Sequence, residues 1–226
     1  MLCGFSGLAN YLILTHAEDP NAKCGNHGTP LHAASYKGHL DAVRVLLTHG
    51  VDVNSTNEDK ITPLCSAYEG GHLDVMRLLL EHGAHVDVYY NAAGCLLNEA
   101  SYNGHTDAVH LLLRHNADAN ARNSVNQTPL NAASIGGHAR VARLLLEHGA
   151  LVNVPDDHRN THLYYASDFR HLGVVQVLLE HGADLNIRGE EGLTPFQVAT
   201  RNGNDEIAQF LLGHGAEKEE LGGVPS

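Results

Sequence analysis

Histidine is the residue type in this chain best suited to chemistry. There are 18 in 226 positions, enough for a metal centre or a proton relay. Their spacing argues against both. His39, His72, His105, His138 and His171 recur with a period of 33 behind one turn position. His16, His49, His82, His115, His148, His181 and His214 recur at the same interval in a second register, His32 closes a Thr-Pro-Leu-His run, and His27, His85, His110, His158 and His162 remain. Equivalent positions on neighbouring packed helices lie about 8 to 10 Å apart, whereas zinc holds each nitrogen at roughly 2.0 to 2.1 Å. One ion cannot bridge such a row, so no metal and no other cofactor is expected.

Nucleophilic chemistry is no better provided for. Ser35, Ser101 and Ser134 share one register, which marks them as small packing residues. No G-x-S-x-G and no G-x-x-x-x-G-K occurs, and Cys65 and Cys95 lack a dedicated His and Asp partner in the pattern. The chain is therefore expected to be no enzyme. Cys3, Cys24, Cys65 and Cys95 show no C-x-x-C spacing and no accompanying signal peptide, which reads as reduced thiols of the cytoplasm, with the nucleus as the alternative compartment.

Composition narrows the partners. Charged residues make up 18% and hydrophobic ones 43%, with a mean hydropathy of -0.20, values of a soluble globular chain. A net charge of -12 argues against nucleic acid, whose affinity rests on many Lys and Arg contacts to phosphate. No run of 18 apolar residues is present, so no membrane insertion is expected.

The elements that position these residues follow a strict period of 33. Gly38, Gly71, Gly104, Gly137 and Gly203 share a register broken only by Arg170; Thr-Pro recurs at Thr29-Pro30, Thr62-Pro63, Thr128-Pro129 and Thr194-Pro195. Six units result: 22–54, 55–87, 88–120, 121–153, 154–186 and 187–219, with a partial unit at 1–21 and a polar tail at 220–226. Each unit predicts two helices. Thr29 suits the N-cap and Pro30 the first helical position, and a short helix ends at Gly38. Leu40, Val43, Leu46 and Leu47 then form one apolar stripe that stops at Gly50, a left-handed position that Asn116 fills in the third unit. A polar stretch such as 54–61 leads into the next Thr-Pro as a hairpin-like turn.

Gly28-Thr29-Pro30-Leu31-His32-Ala33-Ala34, Gly38-His39, Val45-Leu46-Leu47, Gly50 and Asp52-Val53-Asn54 resemble the ankyrin repeat, over residues 22–219. The resemblance implies an all-α solenoid of helix-turn-helix pairs with hairpin fingers, binding to other proteins, and no catalytic residues. In animal members, the register of Asn54, Asn120, Asn153 and Asn186 resembles sites of asparagine hydroxylation; structurally these side chains are expected to bond the turn backbone.

Some units depart from the pattern. Residues 5–21 look like the second helix of a truncated unit, either an improvised cap or the sign of a longer multidomain enzyme or signalling protein of which this is the interaction arm. Asp205, Glu206 and Gln209 with the acidic tail resemble a polar cap. In the third unit Cys95-Leu96-Leu97-Asn98-Glu99 replaces Thr-Pro-Leu-His-Ala, losing a Thr cap worth about 1 kcal/mol and half-burying Glu99. In the fifth, Thr161-His162-Leu163-Tyr164-Tyr165 precedes Arg170, which costs about 1 kcal/mol if the turn keeps positive φ. Both units read either as drift in a tolerant array or as alterations for a partner.

In the ankyrin family the partner lies against the finger tips and the exposed positions of the first helix. Those helical positions are Tyr36, Lys37, Glu69, Tyr102, Asn103, Ile135, Asp168, Phe169, Arg201 and Asn202. The fingers add Glu58, Asp59, Tyr89, Tyr90, Asn91, Arg122, Asp157, His158, Arg188, Glu190 and Glu191. Aromatic side chains at such positions are interface anchors. The resulting expectation is a monomeric scaffold or adaptor whose concave groove, centred on Tyr89, Tyr90, Glu99 and Tyr102, takes a protein segment with apolar anchors and basic residues. Arg44, Arg77, His110 and Arg143 on the outer helices read as solvated ion pairs. A pH-responsive switch through the histidine rows is a weaker third reading.

Overall fold

The structure, a computed structural model, describes residues 21, 28–91 and 94–218. Residues 1–20 of the partial unit at 1–21, with Cys3 and His16, lie outside the described residues, as do Cys24, His27 and the tail beyond 218. Twelve α-helices and two short strands are found among the described residues. In order they are α1 (Pro30–Tyr36), α2 (Leu40–Thr48), α3 (Pro63–Glu69), α4 (Leu73–Glu81), β1 (Tyr89–Asn91), β2 (Gly94–Cys95), α5 (Leu96–Tyr102), α6 (Thr106–Arg114), α7 (Pro129–Gly136), α8 (Ala139–Glu147), α9 (His162–Asp168), α10 (Leu172–Glu180), α11 (Pro195–Arg201) and α12 (Asp205–Gly213). Successive helix pairs are numbered here as repeats 1 to 6.

Each first helix begins on the residues the sequence singles out. The hydroxyl oxygens of Thr62, Thr128, Thr161 and Thr194 accept the backbone N–H three residues on, satisfying a donor that the helix start leaves open. In repeat 1 the buried His32 completes the cap: its Nδ1 accepts the Thr29 N–H at 3.1 Å, and its Nε2–H reaches forward to the Ile61 carbonyl at 2.9 Å. Asn98 keeps the forward contact in repeat 3, donating from Nδ2 to the Gln127 carbonyl at 3.4 Å. There Cys95 stands at the missing threonine and donates its S–H to Asn98 Oδ1 at 2.8 Å.

The histidines that close the second helices have a local job. His49, His82, His148, His181 and His214 each donate Nδ1–H to the carbonyl four residues back, at 2.8 to 2.9 Å, which occupies a carbonyl the helix end would leave open. The turn histidines work between repeats. His138 and His171 donate Nε2–H to the carbonyls of Tyr102 and Ile135 at 2.9 Å.

The chain divides into two compact units, residues 1–90 and 91–226. In the first, α1 packs on α3 and α2 on α4. In the second, the first helices α5, α7, α9 and α11 pack in series, as do the second helices α6, α8, α10 and α12, so each unit is a two-layered stack with its core between the layers. Leu31, Leu64 and Leu79 are fully buried in the first unit; Leu97, Leu112, Leu130, Leu145, Leu163, Leu178 and Leu211 are fully buried in the second. At the far end Asp205, Glu206 and Gln209 face solvent from α12.

The finger asparagines bond a different turn from the one expected. Asn54, Asn120 and Asn153 donate Nδ2–H to the carbonyls of Gly83, Gly149 and Gly182 and accept the backbone N–H of His85, Leu151 and Asp184. Both partners belong to the next repeat. The amide is a clamp between neighbours, because stacking brings the end of the following second helix within reach of a side chain in the repeat before it.

Candidate functional site

The exposed positions of the first helices carry aromatic groups. Tyr36 is 47% exposed, Tyr102 52% and Phe169 47%, and Tyr89 in β1 is 71% exposed. Lys37 Nζ lies 5.3 Å from the Tyr36 ring. Phe169 extends a stack of rings, 6.4 Å from buried Tyr165 and 6.5 Å from His171. Ile135 is half-buried, and so is Glu99, whose carboxylate accepts the Asn103 amide at 2.9 Å.

Other candidates are engaged within the fold. Tyr90 packs edge-on against Tyr68 at 5.8 Å and donates its hydroxyl to Glu69 at 3.0 Å. Asp168 accepts from Asn202. Asp157 accepts from Asn126 at 2.6 Å, tying the fingers of repeats 4 and 5. Arg201 pairs with Glu191 at the surface, an arrangement worth little in water. Glu58, Asp59 and His158 are exposed on the fingers. Asn91 closes β1, and its side chain lies outside what the structure describes.

Within the second unit the stacking of α5 on α7 opens a depression of about 250 Å³. Asn98, Glu99 and Tyr102 come from α5, Ala132 and Ile135 from α7, and Asn123 and Gln127 from the finger between them. Glu99, Tyr102 and Ile135 are thus brought together as neighbours, while Tyr89 and Tyr90 belong to the other unit. Of the four residues that sequence reasoning missed, Asn98, Asn123, Gln127 and Ala132, the first two had a signal. Asn98 sits in the His32 register, and Asn123 sits in that of Asn57, whose side chain likewise accepts the N–H four residues on at 2.9 Å.

A buried polar cluster lies just beyond this floor. Asp156, only 6% exposed, accepts the backbone N–H of His158 and Asn160 at 3.0 Å, the Tyr165 hydroxyl and the Gln127 amide. Burial, then the bond to Asp156, pushes the Tyr165 phenol up. Burial also pushes the Cys65 thiol up, holding it protonated and depriving it of thiolate character. Ser134 spends its hydroxyl on the Leu130 carbonyl at 2.7 Å. Among the described residues no group of three or more His, Cys, Asp or Glu converges to hold a metal ion, and no helix is long and apolar enough to cross a membrane.

Helix pairs repeating with a period of 33, capped by Thr-Pro and clamped by finger asparagines, define a class of protein before any comparison. Known families agree: the model described as "Ankyrin repeats (3 copies)" matches residues 1–90 and 97–189, and that of the single ankyrin repeat matches 191–220. The chain belongs to the ankyrin-repeat family, and its fold is the all-α ankyrin solenoid. Among solved structures, 554 chains match, so the architecture by itself does not select a partner. One is the human ASB11 ankyrin repeat domain, to which this chain is 25% identical over 96% of its own length and 99% of that chain, with a TM-score of 0.77. No curated protein matches.

Proposed function

We propose that this chain is a non-catalytic scaffold or adaptor that binds a partner protein across the exposed face of its first helices and the adjoining fingers. Ankyrin-repeat domains are protein-interaction modules, typically without catalytic activity. The supporting observation is the aromatic character of exposed first-helix positions within each unit, Tyr36 in the first and Tyr102 and Phe169 in the second, each about half exposed where a solvated helix would carry polar groups. Exposed aromatic side chains on a rigid support lose little entropy on binding and dominate interface energies. The chain's net charge of -12 favours a partner with basic residues and speeds its encounter.

Affinity capture from cell lysate tests the reading, with the wild-type chain beside Tyr102→Ala/Phe169→Ala and the control Gln209→Ala, exposed on the second helix α12. A protein retained by the wild type and the control but lost by the double variant is the expected result. Equal recovery by all three would remove the first-helix face from consideration.

A further inference from the structure

The depression between α5 and α7 holds more information than an exposed ring does. At about 250 Å³ it falls below the roughly 300 to 1,000 Å³ of small-molecule sites, which suits a side chain of a larger partner. Its polar floor is already committed. Asn98 is held between Cys95 and the Gln127 carbonyl, Asn123 accepts two backbone N–H groups, and the Gln127 amide donates to Asp156 and Tyr165. Glu99 is the one charged residue in the lining. Its carboxylate is oriented by the Asn103 amide, and a carboxylate has two oxygens able to accept several donors. Tyr102 offers an exposed ring on one side, and Ala132 and Ile135 offer apolar carbon on the other.

We propose that this depression receives an arginine of the partner protein, with the guanidinium on Glu99, its flat face against Tyr102 and its methylene stem over Ala132 and Ile135. Arginine fits better than lysine because its planar fork bonds a carboxylate through two parallel N–H groups while stacking on an aromatic ring. An acidic chain with one oriented carboxylate in an aromatic-walled pocket complements that cation and repels an acidic side chain. This rests on the first-helix face being the binding face, and it adds the chemistry of one anchor.

The test is an NMR titration of the full chain with three capped amino acids, the N-acetyl N-methylamides of arginine, lysine and citrulline, the last a neutral isostere of arginine. The arginine compound is expected to shift the backbone amides of residues 98–103 and Ile135, and the citrulline compound to bind about tenfold more weakly, as loss of a charge-assisted pair implies. Lysine should fall between them. Glu99→Gln should cut arginine binding by a similar factor with its melting temperature and helical circular dichroism preserved. Equal binding of arginine and citrulline, shifts outside the depression, no shifts at all, or an unaffected Glu99→Gln variant would each overturn the assignment. The lysate experiment separates the two levels. If Tyr102→Ala/Phe169→Ala abolishes capture while the arginine compound fails to bind, only the pocket assignment falls; if the compound binds at Glu99 but capture ignores the double variant, the broader reading falls instead.

Discussion

His162 occupies the register that holds proline in repeats 1, 2, 4 and 6, and it is completely buried. Its Nδ1–H donates to the Val152 carbonyl at 2.8 Å, and its Nε2 faces the Thr128 hydroxyl at 3.1 Å, so the neutral ring is satisfied at both nitrogens. Burial opposes a charge there and lowers the imidazole to about 4, against the smaller opposing pulls of the Val152 carbonyl and Asp156. The consequence for stability follows by linkage. Above pH 6.5 neither folded nor unfolded chain protonates this ring. As pH falls below 6.5 the unfolded chain takes up a proton that the folded one refuses, and stability drops until the folded ring titrates near 4. The loss from this one group is about 3 kcal/mol across that window. Denaturant melts at pH 7, 5.5 and 4.5 should therefore show a smaller fall for His162→Gln, which keeps a donor for Val152, than for wild type. Parallel pH dependences would mean that His162 titrates normally in the fold.

At the scale of the element, the turn between the two helices shows how one repeat constrains the next. Gly104 has φ of +70°, and a Cβ there would collide with the His138 ring in the following repeat; Gly137 stands in the same relation to His171. At these two positions glycine is needed twice over, for its backbone and for the space it leaves. Arg170 keeps the left-handed backbone, with φ of +66°, yet carries a full side chain. The next repeat explains the tolerance. It places Asn204 where the others place histidine, and that buried side chain turns away to donate to the Ser167 carbonyl at 2.7 Å, while Arg170 donates to the Asn202 carbonyl. Asn204→His is accordingly expected to destabilise the chain by about 1 to 3 kcal/mol, as overpacking does. Adding Arg170→Gly should restore most of the loss, giving a coupling of about 1 kcal/mol or more in a double-mutant cycle. Strictly additive effects would show that the two positions do not meet.

At the scale of the whole molecule, nearest-neighbour packing makes stability a sum over repeats and the contacts between successive ones. Residues 91–226 form one of the two compact units and contain their own buried series from Leu97 to Leu211. A fragment of residues 91–226 is expected to keep helical circular dichroism and a cooperative thermal transition; a broad, featureless melt would show that its stack depends on the other unit. Much of this organisation was readable in advance. The period, the Thr-Pro helix starts, the left-handed stops at Gly50 and Asn116 and the small serines all follow from rules acting over short stretches of chain, and a repeat writes such rules out again in every unit. The joint loss of glycine at 170 and histidine at 204 was also present in the sequence, but its meaning depends on a contact across repeats. The depression was half legible: Tyr102 and Ile135 were expected at exposed positions and Glu99, partly buried, at the centre of a groove, whereas the contribution of Asn98, Asn123 and Gln127 appears only when α5 lies on α7. Sequence alone thus determined the ankyrin architecture, because local caps, turns and apolar stripes suffice to specify each helix pair. Tertiary structure decided which residues share a pocket, that Tyr90 is bound to Glu69, that the finger asparagines clamp the following repeat, and that the described chain divides after Tyr90. Those outcomes depend on side-chain size and reach between segments of different repeats, which a periodic pattern leaves open.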